Sequence, residues 1–183
     1  MPENKKEFRK QQIKFLTDFS RTKEAQLESE SLYEKLFDSQ EFKNANSISV
    51  TVSMGFELDT KPIIERAISL NKQVYIPKTD NLTKSMTFVR FIGYDELIKT
   101  EFGVLEPGNE NDTLNPSDLI IVPGLAYTDD GYRLGFGAGF YDRYLAKYRP
   151  RTISLANSKQ VNLSKQWQID KFDIPVNKII TAK

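Results

Sequence analysis

Residues 130–145, DGYRLGFGAGFYDRYL, bring an arginine, three closely spaced glycines and an aspartate together between Arg133 and Asp142. Glycines admit positive φ and let backbone amides approach a ligand closely. A helix beginning near Phe140 would turn its unpaired N–H groups toward an anion. Those parts suit a phosphate cradle. A helix terminus contributes about 0.3–1 kcal/mol to an exposed anion and up to ~2 kcal/mol to a partly buried one, so a side-chain cation must help, and Arg133 is placed to do so. The same glycines could serve only the turns of a long loop. The run is not a P-loop, because no Lys-Ser or Lys-Thr follows, and it lies too far beyond its strand for the dinucleotide fingerprint, which disfavours a Rossmann oxidoreductase. Asp142 either complements the helix dipole or, beside a phosphate, shares a divalent cation with it, since a bare carboxylate next to an anion is otherwise repelled.

Composition narrows the chemistry. The 183 residues include no histidine and no cysteine. That excludes disulfides, thiol nucleophiles, Ser-His-Asp triads and the usual zinc or copper ligands. Catalysis must run on carboxylates, Lys, Arg, Tyr, hydroxyls and backbone dipoles, and a metal would be a hard ion held by oxygens, of which magnesium fits best. Lys and Arg number 26 against 25 Asp and Glu, a net charge of +1. So balanced a surface offers no global field for nucleic acid, and any anion must be held locally. No apolar run approaches the roughly 20 residues that span a bilayer, and Met1 to Lys10 is polar rather than a secretory leader. The expectation is a cytoplasmic protein with no membrane partner.

The elements that must position these residues follow from periodicity. Apolar residues at Phe8, Ile13, Phe15, Leu16 and Phe19 predict a helix over 5–19. Leu27, Leu32, Leu36 and Phe37 predict a second over about 22–40. Ser47 to Ser53 is short and β-branched, hence a strand. Asp59-Thr60 can cap a helix from Lys61 to about Asn71, with Pro62 tolerated in its first turn. Val74 to Ile76, stopped by Pro77, and Met86 to Phe91 read as strands, and Asp95 to Lys99 as a short helix. Leu119 to Val122, bounded by Pro116 and Pro123-Gly124, is a continuous apolar run expected of a strand covered on both faces. A helix over Tyr141 to Tyr148, with Tyr144, Leu145 and Tyr148 on its core face, and strands at Thr152 to Leu155 and Ile179 to Thr181 complete the pattern. With no linker or repeat, the chain is expected to form one α/β domain with helices on both faces of a largely parallel sheet, a three-layer α/β/α arrangement. Such sheets bind ligands at the carboxyl ends of their strands, so the loop after Val122 is the place to look. It holds five of the chain's nine glycines: Gly124, Gly131, Gly135, Gly137 and Gly139.

At VPGLAYTDDGYRLGFGAGFYDRYL, residues 122–145, the chain resembles the 5-formyltetrahydrofolate cyclo-ligase family, also called methenyltetrahydrofolate synthetases. Weaker similarities run in the same order elsewhere: KKEFR at 5–9, SMGFELDT at 53–60, YIPK at 75–78, EFGVLEP at 101–107 and KFDIPVNKIIT at 171–181. The resemblance implies a fold like the NagB/RpiA/CoA-transferase group and a chain acting as a monomer or weak homodimer. It implies that Lys5 and Arg9, which share one helix face at i, i+4 spacing, touch ATP phosphates. Arg133, Leu134, Gly135, Phe136, Gly137, Ala138, Gly139, Phe140 and Tyr141 would wrap the nucleotide, and Asp142 and Asp173 would contact magnesium. Val52, Glu57 and Phe102 would form the folate side; read alone, Glu57 could be a capping carboxylate and Val52 and Phe102 plain core. Where the family often carries Lys, and otherwise commonly Gly, this chain has Ala138, whose methyl group cannot neutralise a phosphoryl oxygen.

The reaction so implied converts 5-formyltetrahydrofolate and ATP to 5,10-methenyltetrahydrofolate, ADP and phosphate. Arg133 and Asp142 are the residues expected to carry it. Ring closure must expel the formyl oxygen, and phosphorylating that oxygen turns a poor leaving group into a good one. The protein's task is alignment and charge stabilisation, which suits a chain without His or Cys. Two rivals remain at this stage. One is a folate- or nucleotide-binding protein without catalysis, which Ala138 would favour. The other is a phosphosugar isomerase or acyl-transfer enzyme on a similar scaffold.

Overall fold

Polar side chains set the first three helices. Asn4 accepts from the Lys6 amide to open α1 (Lys5–Phe19), Thr22 from Ala25 to open α2 (Lys23–Asp38), and Ser39 from Phe42 to open α3 (Gln40–Asn44). Each side-chain oxygen satisfies a first-turn donor that has no partner within the helix. Ser39 ends the helix expected over about 22–40, and its extended backbone also caps α3, a further short helix that periodicity did not announce. In this computed structural model, which describes residues 4–161 and 167–183, the chain continues through β1 (Ser47–Ser49), α4 (Lys61–Ser69), β2 (Gln73–Asp80) and β3 (Ser85–Arg90). Then come β4 (Leu97–Lys99), β5 (Leu105–Pro107), β6 (Leu119–Ile121), β7 (Ala126–Tyr127), β8 (Arg133–Leu134), α5 (Phe140–Tyr148), β9 (Thr152–Ala156) and β10 (Lys178–Thr181).

Six strands form one sheet in the order β10-β9-β6-β1-β2-β3. All neighbours run parallel except β2 and β3, which form an antiparallel hairpin at one edge. The period-2 alternation of the buried central strands sends successive residues to opposite faces. Ile48, Leu119, Ile121 and Ile153 pack with Leu32, Leu36, Phe42, Ile63 and Ile64 of α2, α3 and α4. Ile120, Val122, Tyr75 and Phe88 pack with Tyr144 and Leu145 of α5. The core positions expected on α5 are therefore observed, with Tyr148 partly buried against the same cluster.

Several local expectations are corrected. The strand ladder of β1 ends at Ser49 rather than Ser53, because the chain beyond bends away to tie onto Thr60. Pro77 does not stop β2. It pairs with Phe88, whose own N–H and C=O go to Asn115 and Leu114, so the missing proline donor removes no ladder bond. Asp95 to Lys99 is no helix. A 3-10 turn at Tyr94–Glu96 leads into β4, which pairs with β5 across a turn that Gly103 makes at φ 80°. On α2 the buried face is Glu28, Leu32 and Leu36, while Leu27 is exposed; Glu28 Oε2 accepts from the Ser158 amide and Oε1 lies 3.3 Å from Lys183 Nζ. Phe15 of α1 is likewise exposed. Among the described residues no helix is long and apolar enough to cross a membrane.

Candidate active site

The parallel strands fan to either side of β1, with β2 on one flank and β6 on the other. Such a switch point opens a crevice at the carboxyl edge of a sheet. A groove lies there, lined by Thr51 and Ser53 after β1, Pro123 and Gly124 after β6, Asn157 after β9, and Phe56, Glu57 and Tyr127 around them. Thr60 fixes the first loop: its hydroxyl donates to Thr51 O at 2.6 Å and accepts from the Ser53 amide at 3.0 Å, and its own amide donates to Ser53 Oγ. Within that loop Glu57 Oε2 accepts from the Met54 amide at 2.6 Å. Burial raises the Glu57 pKa above its ordinary value, and that single hydrogen bond only partly offsets the shift. The Tyr127 phenol, buried beneath Gly124, is pushed up to about 12, chiefly by desolvation.

The glycine-rich segment is held on three sides. Its base is the β7–β8 hairpin, invisible to periodicity because each strand has two residues. Gln12 of α1 donates to Leu125 O, and Gln160 donates to Gly124 O, anchoring that hairpin to the body. From β8, Arg133 runs beneath the loop. Its side chain is 3% exposed, Nη2 lies 3.3 Å from Asp142 Oδ1, the guanidinium stacks over Tyr141 at 5.4 Å, and Nε has no partner among the described residues. A Cβ at Gly135 would fall 2.7 Å from Arg133 Nη1, so only glycine lets the loop lie on the guanidinium. Gly137 and Gly139 sit at φ 109° and 72°. Among the described residues nothing accepts from the backbone amides of 135–139, and α5 begins at Gly139 with no side-chain cap. A run of unpaired amides above a buried arginine with a spare donor is a cradle for an anion.

Arg9 lies against this loop, with Nε donating to Gly135 O at 2.7 Å. Lys5 occupies the same helix face but binds Asp170 and Asp173, each at 2.7 Å. Burial alone would lower its pKa; the hydrogen bonds and charges of those two carboxylates reverse that and leave it raised. Asp142 and Asp173 approach each other through the backbone, since Asp142 Oδ1 also accepts from the Ile174 amide at 3.1 Å. No cluster of three or more acidic residues forms among the described residues. Two carboxylates, each with a second oxygen to which no described residue donates, match magnesium, which takes one or two carboxylates and completes its shell with phosphate and water.

On the folate side the expected residues do not all converge. Glu57 lines the groove, whereas Val52 is partly buried against the α2–α4 core and Phe102, 72% exposed, sits on the β4–β5 turn away from the groove lining. Residues that sequence alone did not single out are present instead. Phe56 meets Phe136 of the glycine loop at 6.2 Å between ring centroids, joining the two halves of the site, and the buried Tyr127 phenol feels the charges of both Glu57 and Arg133. The aromatic flanking Glu57 in GFEL was the available signal for Phe56; Tyr127 had none beyond its place after Pro123-Gly124.

Fold and site together describe an α/β protein of the class that carries a glycine loop and a groove side by side at the carboxyl edge of a mostly parallel sheet. A sequence profile of the 5-formyltetrahydrofolate cyclo-ligase family matches residues 2–182. The 5-formyltetrahydrofolate cyclo-ligase of Mus musculus is 30% identical over 186 residues, covering 93% of this chain and 88% of its own. That of Escherichia coli K12 is 31% identical over 144 residues, 75% of this chain and 78% of its own. The NMR structure of Aquifex aeolicus 5,10-methenyltetrahydrofolate synthetase superposes with a TM-score of 0.81 at 30% identity, covering 98% of this chain and 90% of that one. The chain belongs to the 5-formyltetrahydrofolate cyclo-ligase family and has that family's cyclo-ligase activity. Membership implies ATP as co-substrate and 5-formyltetrahydrofolate as substrate.

Proposed function

We propose that the chain seats the ATP phosphates on the amides of 135–139 and the folate in the groove beside Glu57, and passes the γ-phosphoryl group to the formyl oxygen. Nitrogen 10 then attacks the activated carbon, and phosphate leaves. The observation that carries this reading is the buried Arg133 with an unpaired Nε beneath unpaired loop amides, next to the groove. Arg133 and Arg9 hold the phosphates in register, and the Phe56–Phe136 contact keeps water from the junction of the two ligands. Tyr141, its ring against Arg133 and its buried hydroxyl without a partner among the described residues, closes the floor. Leu134 and Phe140 frame the loop at its two ends. Asp142 and Asp173 would hold magnesium, which when bound supplies positive charge to the phosphoryl oxygens. Lys5, held on Asp173 at 2.7 Å, stands beside one of the carboxylates that would hold the ion and would serve as a further cation for the phosphates. The same reading takes the chain as one three-layer α/β/α domain of the NagB/RpiA/CoA-transferase-like kind, a cytoplasmic monomer or weak homodimer. Helices on both faces of the sheet support the layering. Purified protein should produce methenyl-folate absorbance only with ATP and magnesium together; absorbance gained without ATP would overturn the reading.

Glu57 gives the folate half its own test. A pterin presents N–H donors, which the carboxylate accepts through both charged oxygens, whereas the protonated acid loses the charge and turns one oxygen into an O–H donor. Because burial raises this pKa, the protonated form is favoured in the fold: its contribution to stability is complete below the ordinary 4.5 and is lost as pH rises through the folded value. Pterin binding runs the other way, present above the folded pKa and lost as pH falls through it. The expected result is a KM for 5-formyltetrahydrofolate that rises on acidification with a midpoint above 4.5, and a flat, weaker profile for Glu57→Gln. An unchanged bend in the variant would assign the titration to another group.

A further inference from the structure

We propose that Arg143 is a phosphate-binding residue, a second guanidinium that grips the polyphosphate of a nucleoside triphosphate from the rim of the loop opposite Arg9. The proposal rests on the glycine-loop reading above.

Side chains of a helix lean toward its amino end, and Arg143, in the first turns of α5, follows that rule. Its Nη1 donates to Ala138 O at 2.8 Å. A Cβ at Gly139 would lie 2.9 Å from the same nitrogen, so the αL glycine is what lets the guanidinium fold over the helix start. This is an unfavourable place for a cation, because the amino end of a helix already carries partial positive charge. Nor is it neutralised locally. The neighbouring carboxylate, Asp142, is turned to Arg133, and no carboxylate among the described residues forms an ion pair with Arg143.

Arg9 shows the same arrangement on the other side. Its Nε is on Gly135 O, and its guanidinium lies 3.5 Å from where a Gly137 Cβ would stand, again without a carboxylate among the described residues. Two arginines are therefore fastened to the loop by its carbonyls, at Gly135 and Ala138, on either side of the unpaired amides. Beneath them the buried Arg133 holds an Nε donor without a partner. Three cations converge on one short loop with a single carboxylate among them, an imbalance that an anion of several charges corrects. Ala138 itself is exposed and brings no charge, so Arg143 is the cation of this rim.

The test is ATP affinity in Arg143→Gln, measured by calorimetry without folate and by KM for each substrate. ATP binding should weaken about 5- to 10-fold, as loss of one charge-assisted hydrogen bond at an exposed site requires, while the KM for 5-formyltetrahydrofolate stays put. Rescue separates charge from structure. Arg143→Lys should restore binding, and so should adding Ala138→Lys to Arg143→Gln, since a lysine at 138 brings a cation to the same rim but cannot hydrogen-bond its own carbonyl in place of the arginine. Unaltered ATP affinity in Arg143→Gln, or a loss that neither lysine repairs, overturns the proposal. Wild-type protein that does not bind ATP at all would instead overturn the glycine-loop reading on which it stands.

Discussion

Replacing Arg133 with glutamine is expected to lower kcat/KM for ATP by about a hundred- to a thousandfold, the loss typical of removing one preorganised donor from a developing charge. The effect should be this large because the guanidinium is already immobilised and desolvated. Its side chain is 3% exposed, stacked on Tyr141 and paired with Asp142, so no reorganisation is left for the moment of reaction. Glutamine leaves Asp142 tolerably placed, since that carboxylate is 23% exposed and still accepts from the Ile174 amide. The protein should fold, and a normal circular dichroism spectrum beside a collapsed rate is the expected pair of measurements. Lysine at 133 should recover only part of the rate, because an ammonium cannot present the planar fork that meets the loop and Asp142 together. A loss under fivefold in Arg133→Gln would reduce this residue to a strut under the loop.

The second large effect is expected from Asp142→Asn. Asparagine keeps an oxygen for the Ile174 amide but removes the charge, so turnover should fall on the order of a hundredfold or more as the proposed cation site loses one of its two carboxylates. Stability should fall as well, because the buried Arg133 is left without its counter-charge. About 1–3 kcal/mol is reasonable for a partly exposed pair, or very roughly 2–12 °C in melting temperature. ATP should recover much of that loss, its phosphates standing in for the missing carboxylate beside Arg133. The variant is thus expected to bind ATP at least as well as wild type while turning it over poorly, and to be less sensitive to magnesium concentration. Near-normal kcat with unaltered magnesium dependence would remove Asp142 from the metal site.

These two residues were legible in the sequence because the segment that carries them is dense in glycine and bounded by a buried strand and an amphipathic helix. The same physics explains the rest of what could be read. Long periodic elements such as Lys5–Phe19 and Phe140–Tyr148, and continuous apolar runs such as that at Leu119, declare themselves because one face must be buried along their whole length. What stayed hidden depends on partners distant in the chain. The β7–β8 hairpin is held by Gln12 and Gln160, and nothing in AY or RL announces a strand. Pro77 reads as a stop until Phe88 is seen to bond elsewhere. Glu28 looks like a solvated helix residue until Ser158 arrives to bond it. Family likeness nominated Glu57 for the folate side, and Glu57 lines the groove, yet it also nominated Phe102, which the β4–β5 turn carries out to solvent. Sequence spacing could not reveal that Lys5 and Asp173, expected as separate ligands of phosphate and metal, form an ion pair with each other.

That last contact spans 168 residues, and the Lys5–Asp170 contact beside it spans 165. At about 5–20 residues per second, synthesis separates the two ends of the pair by roughly 8–34 s. During that interval the ribosome displays the first helix and later the glycine loop, but not the acidic segment that flanks them. On the proposed reading, a nascent chain can carry most of the phosphate cradle before Asp173, the second proposed metal carboxylate, has been added. The site is complete only once that segment has joined Lys5.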